Sequence, residues 1–204
     1  MKKKVLLSML CLSIMAVTSY NTVAYFIADV RTTNIVTMPS LDLDLNEMMK
    51  NGTELVEYPV DTIQGVMPGR TISKIPYINN TGDEDFYTRV YIKTHIYDSA
   101  GNEINPEEEI ININIDHENW VTDENIANWY YYKNIVKSGT NQVLAPFTKV
   151  KFSEDMGNEY KNAKVEIEVY AQAVQAKNNE VDLSKQSILE VQGWADIDMT
   201  EVSK

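Results

Sequence analysis

Few residues in this chain could do chemistry, and they are poorly grouped. There are two histidines, His95 and His117. A zinc peptidase of the His-Glu-x-x-His kind needs two imidazoles one helical turn apart, so that both face one metal while the carboxylate between them polarises its water. Asp116-His117-Glu118-Asn119 offers a single imidazole, in surroundings that alternate like a strand, and fits a surface histidine among acids. Cys11 is the one cysteine, and it lies within an apolar run. No serine occupies a Gly-x-Ser-x-Gly elbow, and no glycine-rich phosphate loop opens a helix. Asp42 and Asp44, two apart on a strand, form a solvated face before they form a cation site. The expectation is a non-enzyme with no catalytic residue, no metal ligands and no cofactor.

The elements around these residues begin with an export signal. Lys2, Lys3 and Lys4 precede the apolar stretch from Val5 to Val17, which is shorter than the roughly 20 residues of a spanning helix. Thr22-Val23-Ala24 places small residues at the −3 and −1 positions of a cut after Ala24. A cut one residue later, after Tyr25, fits equally, so the cleavage region is Val23, Ala24, Tyr25 and Phe26. A lipoprotein cut at Cys11 is disfavoured, because Leu10 stands where a small residue belongs and Cys11 lies inside the apolar run.

Residues 1–24 are thus expected to be a signal peptide and 25–204 a single domain. The formal charge is −12, and loss of the three N-terminal lysines makes the exported part more acidic still. Such a chain repels nucleic acid and anionic lipid, which disfavours both as partners after processing. No cysteine follows Cys11 to form a disulfide, a usage that fits export from a Gram-positive cell. The last residues, DIDMTEVSK, carry no apolar anchor or wall-sorting pattern, so retention at the surface is expected to come from contacts or assembly.

Period-two alternation dominates the rest. Leu41, Leu43 and Leu45 alternate with Asp42 and Asp44. Ile72 and Ile78 bracket a strand broken or edged by Pro76. In Tyr87–Tyr97, Val90, Ile92, Thr94 and Ile96 share one face, with Arg89, Tyr91, Lys93, His95 and Tyr97 on the other. Ile111, Ile113 and Ile115 alternate with asparagines, and an aromatic strand over Trp129–Lys133 follows a polar linker, VTDENIAN. Leu144–Phe152 and Lys164–Gln175 are the last strands, and Ala171 and Ala173 allow close approach of a facing sheet. Leu183–Trp194 is expected to form a short helix opened by Asp182 or Ser184. About eight strands separated by turn signals predict an all-β fold, an antiparallel sandwich of jelly-roll or immunoglobulin-like type with a short C-terminal helix.

Taken in order, these residues resemble one family. The Lys-rich start and apolar run are followed by Ala24-Tyr25-Phe26, Asp29, Asn34 and Leu41-Asp42-Leu43. Pro68-Gly69, Asn80-Thr81-Gly82, Tyr87, Arg89 and Val90 come next, then Trp129-Tyr130-Tyr131-Tyr132 with Gly139, the run Ala171–Ala176, and Trp194. This colinear set is similar to the TasA/camelysin family of exported Gram-positive proteins. Thr37-Met38-Pro39-Ser40 departs from the family's glycine-containing turn, and Ile27-Ala28 adds a residue before Asp29.

The resemblance implies a jelly-roll-like sandwich and cleavage by a SipW-type signal peptidase. It also implies self-association into extracellular fibres of a biofilm matrix or cell surface, with a minor anchoring matrix protein as a further partner. Fibre growth in that family resembles donor-strand complementation, in which the mature N-terminus of one subunit completes the sheet of the next. Residues 25–36, with Phe26, Ile27, Val30, Ile35 and Val36 as apolar positions, are β-branched and free of proline until Pro39, so they fit such an arm. The camelysin branch implies instead a surface metallopeptidase, and the tyrosine run suits a monomeric surface adhesion or binding module.

Overall fold

Alternating sequences of this kind form half-buried strands, and the computed structural model is built almost entirely of them. It describes residues 26–29, 32–34, 43–58, 63–66, 68–105, 109–139, 145–177, 179 and 181–196. In chain order the strands are β1 (Phe26–Asp29), β2 (Thr32–Asn34), β3 (Leu43–Asn51), β4 (Glu54–Glu57), β5 (Ile63–Val66), β6 (Thr71–Ser73) and β7 (Ile75–Asn80). There follow β8 (Phe86–Tyr97), β9 (Glu103–Ile104), β10 (Ile111–Ile115), β11 (Trp120–Asp123), β12 (Ile126–Tyr132), β13 (Phe147–Phe152) and β14 (Lys164–Gln175).

These strands form one large sheet and two small ones. The large sheet runs β11-β12-β8-β14-β1-β5, with β2 also on β14 and β9 on β8, while the small sheets run β10-β13-β6 and β4-β3-β7. A single buried cluster joins all three: Val90, Ile92, Val165, Ile167 and Val169 from the large sheet pack with Leu43, Leu45, Ile72, Ile78, Ile111, Val150 and Phe152 from the small ones. The all-β, largely antiparallel sandwich expected from the sequence is therefore what the chain forms.

The far face of the large sheet is also covered. Tyr87, Tyr91, Trp129, Tyr131, Tyr170 and Val174 form a second buried cluster with Ile188 and Val191 of the C-terminal tail. Here the expected helix over Leu183–Trp194 is corrected. The tail forms only a short 3-10 turn, Ile188–Glu190, capped by Ser187, whose side chain accepts from Leu189 N while Glu190 reaches back to the Ser187 backbone. Ile188 and Val191, three apart, meet the aromatic face from this turn without a full α-helix. Asp182 instead closes a separate turn, its carboxylate accepting from Ser184 N at 3.1 Å.

Two further expectations change. The VTDENIAN linker is the β11–β12 hairpin, with Asp123 accepting from Asn125 N at 2.8 Å across its turn. The strand bracketed by Ile72 and Ile78 is broken at Lys74, where the chain passes from β13 to β3 as its neighbour. Pro76 lies inside β7, at the edge of its three-stranded sheet, the second of the two placements expected for it.

Candidate functional site

The longest strand pair fixes the site. Along one edge β14 pairs antiparallel with β8 from Lys164↔Tyr97 to Gln175↔Phe86 without a break. Its core-facing residues Val165, Ile167, Val169 and Ala171 are fully buried. These β-branched and then small residues alternate with Glu166, Glu168, Tyr170 and Gln172, and the unbroken strand offers a second edge for pairing.

That second edge is taken by the N-terminal segment. β1 pairs parallel with β14 in the register Ile27↔Lys164, Ala28↔Val165 and Asp29↔Glu166. β2 pairs parallel with it as Thr32↔Val169, Thr33↔Tyr170 and Asn34↔Ala171. The offset is the same in both ladders, so β1 and β2 lie on one line along β14. Among the described residues these are the parallel ladders of the structure. On its outer side β1 also meets β5 antiparallel, with a register irregularity between Phe26 and Ala28.

Of the residues expected in the arm, Phe26 and Ile27 lie in β1, whereas Val30, Ile35 and Val36 fall outside the described residues. So do Val23, Ala24 and Tyr25 of the cleavage region. The sequence reading did not find Thr32, Thr33 and Asn34 as pairing positions, nor β5 as the neighbour that closes over β1. The uninterrupted twelve residues of β14 were the available signal that a long edge needs a partner.

Polar groups brace this edge. Lys164 Nζ lies 2.5 Å from Glu166 Oε1. His95 on β8 meets Glu103 at 2.7 Å through Nδ1 and Glu168 on β14 at 3.5 Å through Nε2. Because the two carboxylates approach opposite ring nitrogens, the cluster orients the imidazole between strands. His117 is exposed in the turn before β11. Among the described residues no three His, Cys, Asp or Glu side chains are grouped to hold a metal ion.

Comparison with protein-family models, curated proteins and solved structures finds no match. What the chain can do is therefore argued from its own geometry.

On the outer face of β14 and β8, Arg89 is the organising residue. Its Nε donates to Gln172 Oε1 at 2.9 Å, Nη1 to the Tyr131 hydroxyl at 3.1 Å, and Nη2 to the Ala195 carbonyl at 3.1 Å. The guanidinium stacks over Trp129 at 4.0 Å and Trp194 at 4.9 Å. Burial pushes the Tyr170 hydroxyl up, against the pull of its Gln172 contact and the Arg89 charge. One cation thus joins β8, β14, β12 and the C-terminal tail.

Proposed function

We propose that this chain is an exported structural protein of the cell surface or biofilm matrix, a subunit of fibres assembled by donor-strand complementation. The observation that carries this reading is the in-register parallel docking of β1 and β2 along the β14 edge. β1 and β2 hold to β14 by short ladders, and β1 has only the four-residue β5 on its other side, so the segment can leave once β5 gives way. The same strand from another copy remakes identical contacts, so exchange between subunits costs little beyond association.

The resemblance to the TasA/camelysin family supports the same reading, and so does the proline-free composition of 25–36. A SipW-type signal peptidase is the enzyme that would release the arm, and a minor anchoring matrix protein would tie the fibre to the cell. Purified mature protein, beginning at Tyr25 or Phe26, is expected to form filaments visible by negative-stain microscopy as concentration rises, and deletion of 25–36 to leave soluble monomers. Persistent monomers of the intact mature chain at high concentration would overturn the proposal.

A further inference from the structure

Two charged residues occupy core-facing positions where alternation calls for apolar side chains. On β3, Leu43 and Leu45 point into the core, and Glu47 is the next residue on that face. Along β6 and β7, Ile72 and Ile78 mark the core face, and Lys74 shares it. Lys74 is fully buried, and its Nζ lies 2.6 Å from Glu47 Oε1, with the Glu47 side chain 12% exposed. Tyr58 completes the group: its ring centroid is 4.4 Å from Lys74 Nζ, and its hydroxyl is buried with no hydrogen bond among the described residues.

The backbones around this group are fixed. Glu47 stands opposite Pro76 in the β3–β7 ladder, and its carbonyl accepts from Tyr58 N at 3.0 Å. Lys74 N donates to Thr148 O at 3.2 Å, and Lys50 N to the Ser73 hydroxyl at 2.9 Å. Amine and carboxyl are held in contact before any reaction, which gives an intramolecular condensation its advantage over the bimolecular one.

We propose that Lys74 and Glu47 are the partners of an autocatalytic isopeptide bond, an amide between Lys74 Nζ and Glu47 Cδ. Condensation needs the neutral amine and the carboxylic acid, reached by transfer of one proton from ammonium to carboxylate across the 2.6 Å contact. The Nζ lone pair adds to Cδ, the amine gives up a proton, and one carboxyl oxygen takes it and leaves as water. One C–N bond forms, one C–O bond breaks, and no atom changes oxidation state. The Tyr58 ring covers Lys74 Nζ. Burial first, and then the Glu47 charge, push the Tyr58 hydroxyl up, so it stays neutral beside the pair. The product replaces two buried charges by one neutral amide and ties β3 to the β6–β7 junction.

The test is intact-mass spectrometry of the folded wild-type protein, with its N-terminus fixed by sequencing. The expected mass falls short of the sequence mass by one water, and tandem spectra of a digest show a single branched peptide joining Lys74 to Glu47. Lys74→Arg, which keeps the charge but not the nucleophilic amine, is expected to give the full mass. Recovery of the full mass and separate peptides from folded wild type overturns the proposal, whatever the variant does. A water loss located elsewhere, such as a succinimide at Asp98-Ser99, overturns it equally.

Discussion

Arg89 shows how much one residue can organise. It is 7% exposed, its hydrogen bonds reach Gln172, Tyr131 and the Ala195 carbonyl, and two indoles flank it. Hydrogen bonds to a charged donor and a desolvated cation–π stack each contribute on the order of 2 kcal/mol. Arg89→Ala leaves Gln172 and Tyr131 without their donor and is expected to destabilise the protein by about 3 kcal/mol in urea unfolding. It should also speed proteolysis of the tail over 181–196. Arg89→Lys should restore less than half, because an ammonium cannot make the planar three-way contact or stack between rings. An unchanged urea midpoint would remove Arg89 from this role.

Carboxylates at turns make a second set of residue-scale contributions. The Lys137 hydrogen bond, with help from Ser138 N, holds Asp85 below its ordinary range. Asn119 does the same for Asp116, Asn102 for Asp98 and Lys185 for Asp182. Each folded-state pKa lies below the unfolded one, which is about 4. Stabilisation is therefore complete above that value and lost as pH falls through the folded-state pKa. The melting midpoint is expected to stay level from neutral pH to about pH 5 and then decline. Asp116→Asn should make the decline shallower, and an identical slope in the variant would show that this turn does not contribute.

At the scale of elements, the N-terminal strands and β14 are unequal partners. β14 is paired along its whole length with β8, whereas β1 and β2 hold to the sheet by short parallel ladders. Backbone amides of β1 and β2 are expected to exchange hydrogen much faster than those of Val165–Val174, since short ladders open locally without global unfolding. Ala28→Pro removes a donor from the middle of β1 and should disable docking. The expected outcome is a folded monomer, with unchanged near-ultraviolet circular dichroism from Trp120 and Trp129, that no longer forms filaments. Filaments of normal yield from this variant would show that β1 is not the assembling strand.

For the molecule as a whole, the layout separates a body packed on both faces of the large sheet from N-terminal strands held by short ladders. The inner core joins three sheets, the aromatic outer face is closed by the C-terminal tail, and the arm attaches at the remaining side of β14. The buried Lys74–Glu47 pair lies in the body between β3 and the β6–β7 junction, away from the β14 ladders. Covalent closure there would strengthen the body without restricting the N-terminal strands, in a chain whose single cysteine is Cys11.

Local alternation by itself determined most of the strands. Leu43-Asp44-Leu45, Val90 to Ile96, Ile111 to Ile115 and Lys164 to Gln175 write a period of two directly into the chain, because one face of each must be apolar to be buried. The tertiary structure decided what local pattern cannot carry. Pairing partner and direction depend on residues far apart in sequence, so the parallel docking of Ile27 beside Lys164 had no local sign. Ile188 and Val191 fit a helix or a single turn, and contact with the aromatic sheet face selects the turn. Lys74 and Glu47 look like ordinary surface charges in sequence. Only folding brings them together, because Glu47 lies on the apolar face of β3, Lys74 is buried at the β6–β7 junction, and β3 pairs with β7.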